Sequence, residues 1–114
     1  MLQSNSFRTL QDRDIQHLVR LGCSKLNYDL AFNLHIPDIN PLCSCGDDHE
    51  TSRHFFIECR KYDNERLALK TAIEKHSSLN IKIILYGDNE LSFNANMEVF
   101  DAVHKFLLQT GRFI

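Results

Sequence analysis

The sequence predicts a mainly α-helical small domain that is stapled by a structural zinc site with three cysteine ligands and one histidine ligand. Apolar residues recur at helical spacing through most of the chain. Three of the four cysteines and two of the six histidines lie within residues 43–59. A chain of 114 residues has the size of one domain with a modest core, which a bound metal ion would stabilise.

Residues 1–114 are expected to form a single domain with three regions. A helix pair occupies about residues 10–35, the zinc module about residues 41–60, and the C-terminal helices about residues 61–114. The hydrophobic fraction of 43% and the charged fraction of 25% are those of an ordinary globular protein. We therefore expect a folded chain rather than a disordered one.

Composition and charge argue against several classes of protein. No apolar stretch reaches the roughly 18 residues of a membrane span, so we expect no membrane partner. The polar first residues do not resemble a secretory signal, so an intracellular location, in the cytoplasm or nucleus, is expected. Hydrolase, P-loop and H-E-x-x-H motifs are missing from the sequence, so we expect no enzymatic activity. A formal net charge of −2 makes tight, unaided binding of nucleic acid a weak expectation.

The first predicted helix covers about residues 10–21. Three apolar residues occur at i, i+3 and i+4, on one helical face: Ile15, Leu18 and Val19. Gly22 follows as the residue expected to end the helix. Cys23, between the first two helices, is expected to be a small buried apolar residue.

Ser24 is predicted to cap a second helix, which ends before Pro37. Its apolar stripe is formed by Leu26, Leu30, Ala31 and Leu34. Because only a short break separates the two helices, they are predicted to form an antiparallel pair.

The zinc module follows this pair, with the ligand order C-x-C-x8-H-x4-C. Thiolate and imidazole are the ligands that zinc prefers in closed, tetrahedral structural sites. The candidate ligands are Cys43, Cys45, His54 and Cys59. The alternatives are unligated buried thiols, or a disulfide or redox pair, and His49 is the main rival ligand.

The spacing within the module has a structural consequence. Gly46, directly after the C-x-C pair, permits a tight turn in which backbone amides point at the thiolates. A short helix is predicted at about residues 51–57. Cys59 would lie about 140° around a continuous helix from His54, so that helix must loosen or stop near Cys59.

The C-terminal half carries two further helical patterns. A helix at about residues 63–75 is predicted to turn Leu69 and Ile73 inward, and Glu65, Arg66 and Lys70 mostly outward. Residues 81–86 are predicted to form a short packed segment, extended or helical. The last helix, at about residues 94–109, has an apolar face of Val99, Phe100, Val103, Phe106 and Leu107.

Taken together, these residues resemble the C-terminal zinc-binding region of non-LTR (LINE-type, Jockey-like) retrotransposon reverse transcriptase polyproteins. The resemblance rests on C-S-C-G at residues 43–46, E-T-S-R-H-F at residues 50–55, and Cys59, followed by Tyr62 and Arg66. It extends over about residues 15–114. Arg60 and Lys61 stand where the family often has a proline.

The resemblance implies a terminal accessory module whose parent polyprotein carries any reverse transcriptase activity in regions outside this chain. Such a module would assist in binding template RNA or target DNA during target-primed reverse transcription, with the remainder of the polyprotein as a further partner. Basic residues near the zinc module are the candidate nucleic-acid contacts: Arg53, Arg60, Lys61, Arg66 and Lys70.

Aromatic residues are interleaved with these basic side chains and could stack on bases: Phe55, Phe56 and Tyr62. The two phenylalanines, however, are expected in the core. The alternative function is a zinc-stabilised protein-interaction or structural domain that binds no nucleic acid of its own.

Overall fold

The computed structural model describes residues 12–113, with side chains from Asp14 onward. It contains four α-helices: α1 (Asp12–Leu21), α2 (Asp63–Glu74), α3 (Ile81–Tyr86) and α4 (Phe93–Thr110). Shorter helical turns lie between α1 and α2: a first π-turn (Asp29–Asn33), a second π-turn (His54–Glu58) and a 3₁₀ turn (Arg60–Tyr62). A β-bridge joins Leu42 to His49. The predicted fold class, mainly α-helical with a Cys₃His cluster, is confirmed.

The core forms where α2 and α4 pack along each other and the second π-turn covers one end. It includes fully buried side chains from all three elements: Phe55, Phe56, Leu69, Ile73, Val99, Val103, Phe106 and Leu107. Burying each of these side chains contributes roughly 1.5–3 kcal/mol. The predicted inward faces of α2 and α4 are therefore the faces that form the core.

Helix α1 packs against α3 and α4. Ile15 and Val19 are buried, as their spacing predicts. The Gln16 side chain donates a hydrogen bond to the carbonyl of Ile84 at 2.6 Å, which joins α1 to α3. Gly22 ends the helix with a φ of +72°, a conformation that favours glycine. Residues 10 and 11 of the predicted helix lie outside the described residues.

The second predicted helix is wrong in extent, because only a short helical turn around the first π-turn forms there. Asp29 is buried and accepts hydrogen bonds from the backbone N–H and the hydroxyl of Ser24, at 3.2 and 2.7 Å. The hydroxyl of Ser24 also accepts the N–H of Leu26 at 3.2 Å, so Ser24 stabilises the turn that precedes this short helical segment. Leu26 is fully buried, whereas Leu34 is exposed.

The expectation for Cys23 is also wrong, because this residue is exposed. Its thiol lies 3.6 Å from the carbonyl of Leu21, over the end of α1.

Polar side chains cap the N-termini of α3 and α4. Residues 81–86 adopt the helical alternative, and Asn80 caps α3 by accepting a hydrogen bond from the N–H of Ile83 at 2.9 Å. Ser92 caps α4 in the same way through the N–H of Ala95 at 3.1 Å. Among residues 12–113, no helix combines the length and apolar character that a bilayer span requires.

Candidate metal centre

The structure brings the four predicted ligands together. One ligand atom from each of Cys43, Cys45, His54 and Cys59 lies within 4.8 Å of all the others. The sulfurs of Cys43 and Cys59 are 3.8 Å apart, and the sulfur of Cys45 is 3.3 Å from Nε2 of His54. Around a tetrahedral zinc ion, two sulfurs would be about 3.8 Å apart, and a sulfur and a nitrogen about 3.6 Å. The cluster could therefore hold one metal ion with small adjustments.

The disulfide and the use of His49 as a ligand do not match this geometry. A disulfide needs a sulfur–sulfur distance of about 2.05 Å, and the cysteines here are free thiols. His49 lies outside the cluster, and its exposed ring packs against Tyr28 and Phe32, with centroid distances of 6.1 and 5.8 Å.

A tight turn presents the first two cysteines. The N–H of Cys43 bonds to the carbonyl of Asp48 at 2.8 Å, beside the bridge that closes the loop. Gly46 has a φ of +84°, which strains any residue with a Cβ. This turn directs the N–H of Asp47 at the sulfur of Cys45, at 3.4 Å. The amide-to-thiol arrangement that the C-x-C-G pattern predicts is therefore present.

The second π-turn presents the other two ligands. The N–H of Cys59 bonds to the carbonyl of His54 at 2.7 Å, five residues back, instead of to the residue four back. This wider turn brings Cys59 round towards His54, which a regular α-helix would not do. Cys59 itself is extended, with φ −65° and ψ 118°, so the helix ends at the residue where the ligand spacing predicts it must.

Arg66 is buried, with 6% of its surface exposed, so its predicted outward position and nucleic-acid contact are wrong. From α2 its guanidinium donates to the carbonyls of Cys59, Phe56 and Phe55, at 2.8, 2.9 and 3.3 Å. Because the helical turn stops at Cys59, the carbonyls of Phe55 and Phe56 gain a donor from this guanidinium, while the carbonyl of Cys59 also accepts the N–H of Tyr62 at 3.2 Å. Arg66 therefore positions the ligand-bearing turn.

A buried ion pair holds the segment just before the histidine ligand. Glu50 is 2% exposed, and its two carboxylate oxygens accept hydrogen bonds from Nε and Nη2 of Arg112, at 2.7 and 2.6 Å. The same carboxylate accepts the N–H of Asn27 at 2.8 Å, and Arg112 also donates to the carbonyl of Lys25 at 2.9 Å. The hydrogen bonds that Arg112 donates to Glu50 raise the pKa of Arg112.

Sequence reasoning missed both Glu50 and Arg112 as parts of this site. The two residues are 62 positions apart, and no periodicity or motif connects them. Next to Arg112, Phe113 packs edge-on against Phe55, with a centroid distance of 5.5 Å. The end of the described chain is therefore tied to the module that contains the metal cluster.

The thiols of the cluster differ in how readily they ionise. Burial raises the pKa of the Cys59 thiol to about 12, since the charged form loses its hydration. The hydrogen bond from the Asp47 amide lowers the pKa of Cys45. His54 directs Nε2 at Cys45, while its Nδ1 lies 3.9 Å from a carboxylate oxygen of Glu58. A carboxylate on that side favours the tautomer that leaves Nε2 free for a metal.

The other candidate nucleic-acid contacts are exposed but partly engaged. Arg53 pairs with Glu58 at 2.8 Å, and Arg60 pairs with Asp47 at 3.0 Å. The ammonium of Lys61 donates to the hydroxyl of Ser44 at 2.9 Å, and Lys70 is exposed on α2. The basic residues therefore surround the metal cluster, although two of them are neutralised by neighbouring acids.

The interleaved aromatic side chains are not available to stack on bases. Phe55 and Phe56 are fully buried, as expected for core residues, and Tyr62 is 5% exposed. The ring of Tyr62 packs edge-on against Phe55, with a centroid distance of 5.3 Å. Base stacking by Tyr62 is therefore excluded in this fold.

Comparison with known proteins adds no relative. No family model matches the chain, and neither the curated proteins nor the solved structures give a significant match.

Proposed function

We propose that the chain folds around one structural zinc ion. The observation that carries this proposal is the convergence of Cys43, Cys45, His54 and Cys59 within 4.8 Å. Three thiolates and one imidazole form a soft, four-donor set that suits tetrahedral zinc. Because protein side chains fill all four positions, none is left for water or substrate, so the ion has a structural role.

We further propose that this domain is a C-terminal accessory module of a non-LTR retrotransposon reverse transcriptase polyprotein. Support comes from the order C-S-C-G, E-T-S-R-H-F and Cys59, in which each part has a defined place in the metal module. The partner of the domain would be the remainder of that polyprotein. Polymerase chemistry would belong to the remainder, as in the polyproteins that this sequence resembles.

In this role the module assists RNA or DNA binding during target-primed reverse transcription. Four exposed cations near the metal cluster support this proposal: Arg53, Arg60, Lys61 and Lys70. Two of them are paired with carboxylates, but exposed ion pairs contribute only about 0–1 kcal/mol. A phosphate can therefore replace Glu58 or Asp47 as the partner of an arginine.

The second candidate is a zinc-stabilised interaction domain that binds no nucleic acid. Two observations favour it. Arg66 and the three interleaved aromatic residues are buried, so they contribute neither charge nor stacking surface. Of the remaining basic residues, Arg53 and Arg60 are paired with Glu58 and Asp47.

Fluorescence anisotropy of labelled single-stranded RNA, about 20 nucleotides long, separates the two candidates when it is measured over a range of salt concentrations. The test variant is Arg53→Ala/Arg60→Ala/Lys61→Ala. The matched control is Lys25→Ala/Lys82→Ala/Lys105→Ala, which removes the same charge from other exposed positions.

If the module contacts RNA, the test variant weakens binding by at least about tenfold and reduces the salt slope, while the control changes both much less. Equal losses in both variants would indicate non-specific attraction. No binding by the unmodified chain at physiological salt would exclude the nucleic-acid role and leave the interaction domain.

A further inference from the structure

One cation beside the metal cluster has a neutral partner instead of an acidic one. The ammonium of Lys61 donates a hydrogen bond to the hydroxyl of Ser44 at 2.9 Å, across 17 positions of the chain. Within residues 14–113, Lys61 makes no ion pair, whereas Arg53 and Arg60 are each paired with a carboxylate. Among these three neighbouring cations, the lysine is therefore the one whose charge is not engaged by an acid.

The metal module holds both side chains in place. Ser44 lies between the two ligands of the C-x-C turn, and Lys61 follows the ligand Cys59 by two residues. The ammonium of Lys61 also lies 5.5 Å from the centroid of the buried Tyr62 ring, which is a cation–π distance. The pair therefore joins the two halves of the cluster, and its geometry depends on the convergence of the ligands.

The hydroxyl of Ser44 keeps a hydrogen-bond donor for an external group. Ser44 is exposed, and within the described part of the chain its hydroxyl accepts from Lys61 but donates to no other group. A hydroxyl both accepts and donates, so an oxygen placed beside the pair can receive one hydrogen bond from the O–H and one from the ammonium. Phosphate oxygens form strong bonds with such charged donors, and lysine and serine are common phosphate contacts in nucleic-acid complexes.

Two exposed acids of the same loop do not pair with this lysine. Asp47 is paired with Arg60 at 3.0 Å. A carboxylate oxygen of Asp48 lies within 4.8 Å of possible ligand atoms of His54 and Glu58. Neither acid forms an ion pair with the lysine, which therefore remains available to an anion from outside the chain.

We propose that Ser44 and Lys61 together bind one phosphate group of a nucleic-acid backbone, in a contact that the metal module assembles. The hydroxyl of Ser44 and the ammonium of Lys61 each donate a hydrogen bond to the phosphate oxygens. This inference rests on the proposed nucleic-acid role and adds Ser44 to the candidate contacts. Because the pair contacts the backbone and the nearby aromatic rings are buried, it does not distinguish one base from another.

The test is fluorescence anisotropy of the zinc-loaded chain with labelled single-stranded RNA, about 20 nucleotides long, over a range of salt concentrations. Ser44→Ala removes a donor but no charge, so it should weaken binding about fivefold and leave the salt slope unchanged. Lys61→Met removes one cation, so the slope should fall by about 0.7 as well. The matched controls, Ser78→Ala and Lys82→Met, change exposed residues outside the metal module and should leave both quantities nearly unchanged.

Further measurements show whether the two side chains share one phosphate. The double variant Ser44→Ala/Lys61→Met should lose less affinity than the product of the two single losses, because both side chains contact the same group. The losses should be the same with oligo(U) and oligo(A), because a backbone contact does not depend on the base. Both single variants should keep one zinc ion and nearly the original thermal midpoint, since Ser44 and Lys61 are exposed.

The outcomes separate this inference from the proposed function. If Arg53→Ala/Arg60→Ala/Lys61→Ala weakens RNA binding but Ser44→Ala does not, the nucleic-acid role stands and the phosphate contact is wrong. A lower midpoint of Ser44→Ala with unchanged RNA affinity would make its hydrogen bond to Lys61 a purely structural contact. Fully multiplicative losses in the double variant would show that the two side chains do not share a phosphate.

An NMR titration of the ¹⁵N-labelled, zinc-loaded chain with inorganic phosphate identifies the source of the phosphate group. We expect weak shifts at residues 44–46 and 60–62 that Ser44→Ala reduces, together with tighter binding of RNA. Saturable shifts at these residues without RNA binding would assign the contact to a small phosphate ion and exclude the nucleic-acid role. Binding of neither RNA nor phosphate would overturn both proposals.

Discussion

The helical core and the metal module are held together by different forces. The contact between α2 and α4 depends on many apolar side chains, such as Leu69, Val103 and Phe106, each of which contributes a modest share. Residues 41–60 also bury Phe55 and Phe56 in that core, but they depend in addition on a few specific contacts. These are the four ligands, one glycine turn, Arg66 from α2 and Arg112 after α4. The core should therefore tolerate single changes better than the module does.

Loss of the metal should produce the largest difference between the two regions. Structural zinc contributes roughly 10–16 kcal/mol of apparent binding free energy in small zinc-finger domains, so its removal should unfold residues 41–60 and lower the stability of the whole chain. We expect His54→Ala and Cys59→Ser each to abolish stoichiometric zinc and to lower the thermal midpoint. Elemental analysis and circular dichroism measure both effects.

The matched control for these ligand variants is Cys23→Ser. Cys23 is exposed and lies outside the cluster, so this variant should keep one zinc ion and the original midpoint. Zinc retention by both ligand variants would disprove the ligand assignment.

The next effect concerns Arg66, which links the two regions. Arg66→Ala removes the side-chain donor of the carbonyls of Phe56 and Phe55 and one of the two donors of the carbonyl of Cys59, which should cost about 3 kcal/mol of unfolding free energy. Urea denaturation of the zinc-loaded protein measures this cost. Lys70→Ala, one turn further along α2 and exposed, should change the free energy by less than about 0.5 kcal/mol. Similar, small losses of unfolding free energy in both variants would indicate that Arg66 does not position the ligand-bearing turn.

The Glu50–Arg112 pair should have a somewhat smaller effect. Arg112→Ala leaves the buried Glu50 carboxylate without its cation. Removing one partner of a buried ion pair costs about 3 kcal/mol of unfolding free energy, and slightly less here because the Arg112 side chain is partly exposed. A double-mutant cycle with Glu50→Gln measures the coupling. Additive effects of the two substitutions would show that the pair does not hold the module to the end of the chain.

Gly46 should give a local effect that is confined to the metal module. Its φ of +84° strains alanine, although no atom lies within 4 Å of an added Cβ, so the expected cost of Gly46→Ala is about 1–2 kcal/mol. Zinc affinity, measured by competition with a chelator, should fall by roughly tenfold. Zinc affinity should fall less in Gly46→Asn, because asparagine tolerates the left-handed region. Equal losses would indicate that backbone strain is not the cause.

The smallest effect is a pH dependence of a partly exposed ion pair that joins the residues after α2 to α4. Hydrogen bonds from Lys75 and His76 lower the pKa of Glu98 on α4. Because its folded pKa is below the ordinary value of about 4.3, this carboxylate stabilises the fold above that pH, and the stabilisation is lost as pH falls through the lowered pKa. The difference in thermal midpoint between the unmodified protein and Glu98→Gln should therefore shrink as pH is lowered below 4.3. A difference that stays constant would contradict this assignment.

The same contrast between the regions explains what could be predicted from the sequence. The inward faces of α2 and α4 follow from periodicity, because burial of many apolar side chains determines them. The ligands follow from residue type and spacing, since few side chains can bind zinc. The end of the helix at Cys59 follows from the requirement that two ligands five residues apart must converge.

The predictions that were wrong have local or long-range causes, which the hydrophobic periodicity of the sequence does not reveal. The second helix ends early because His35 has a left-handed φ of +54°, and the N–H of Ile36 bonds back to the carbonyl of Leu30 at 2.9 Å. Arg66 is buried because it donates to carbonyls of the broken helix beside it. The Glu50–Arg112 pair joins distant residues, so it becomes visible only in the folded chain.

The most direct test of the metal centre is X-ray absorption spectroscopy of the purified, zinc-loaded chain, combined with elemental analysis. We expect one zinc ion per chain, coordinated by three sulfurs at about 2.3 Å and one nitrogen at about 2.0–2.1 Å. An absence of bound metal, or a coordination shell with two or fewer sulfurs, would contradict a closed site formed by Cys43, Cys45, His54 and Cys59.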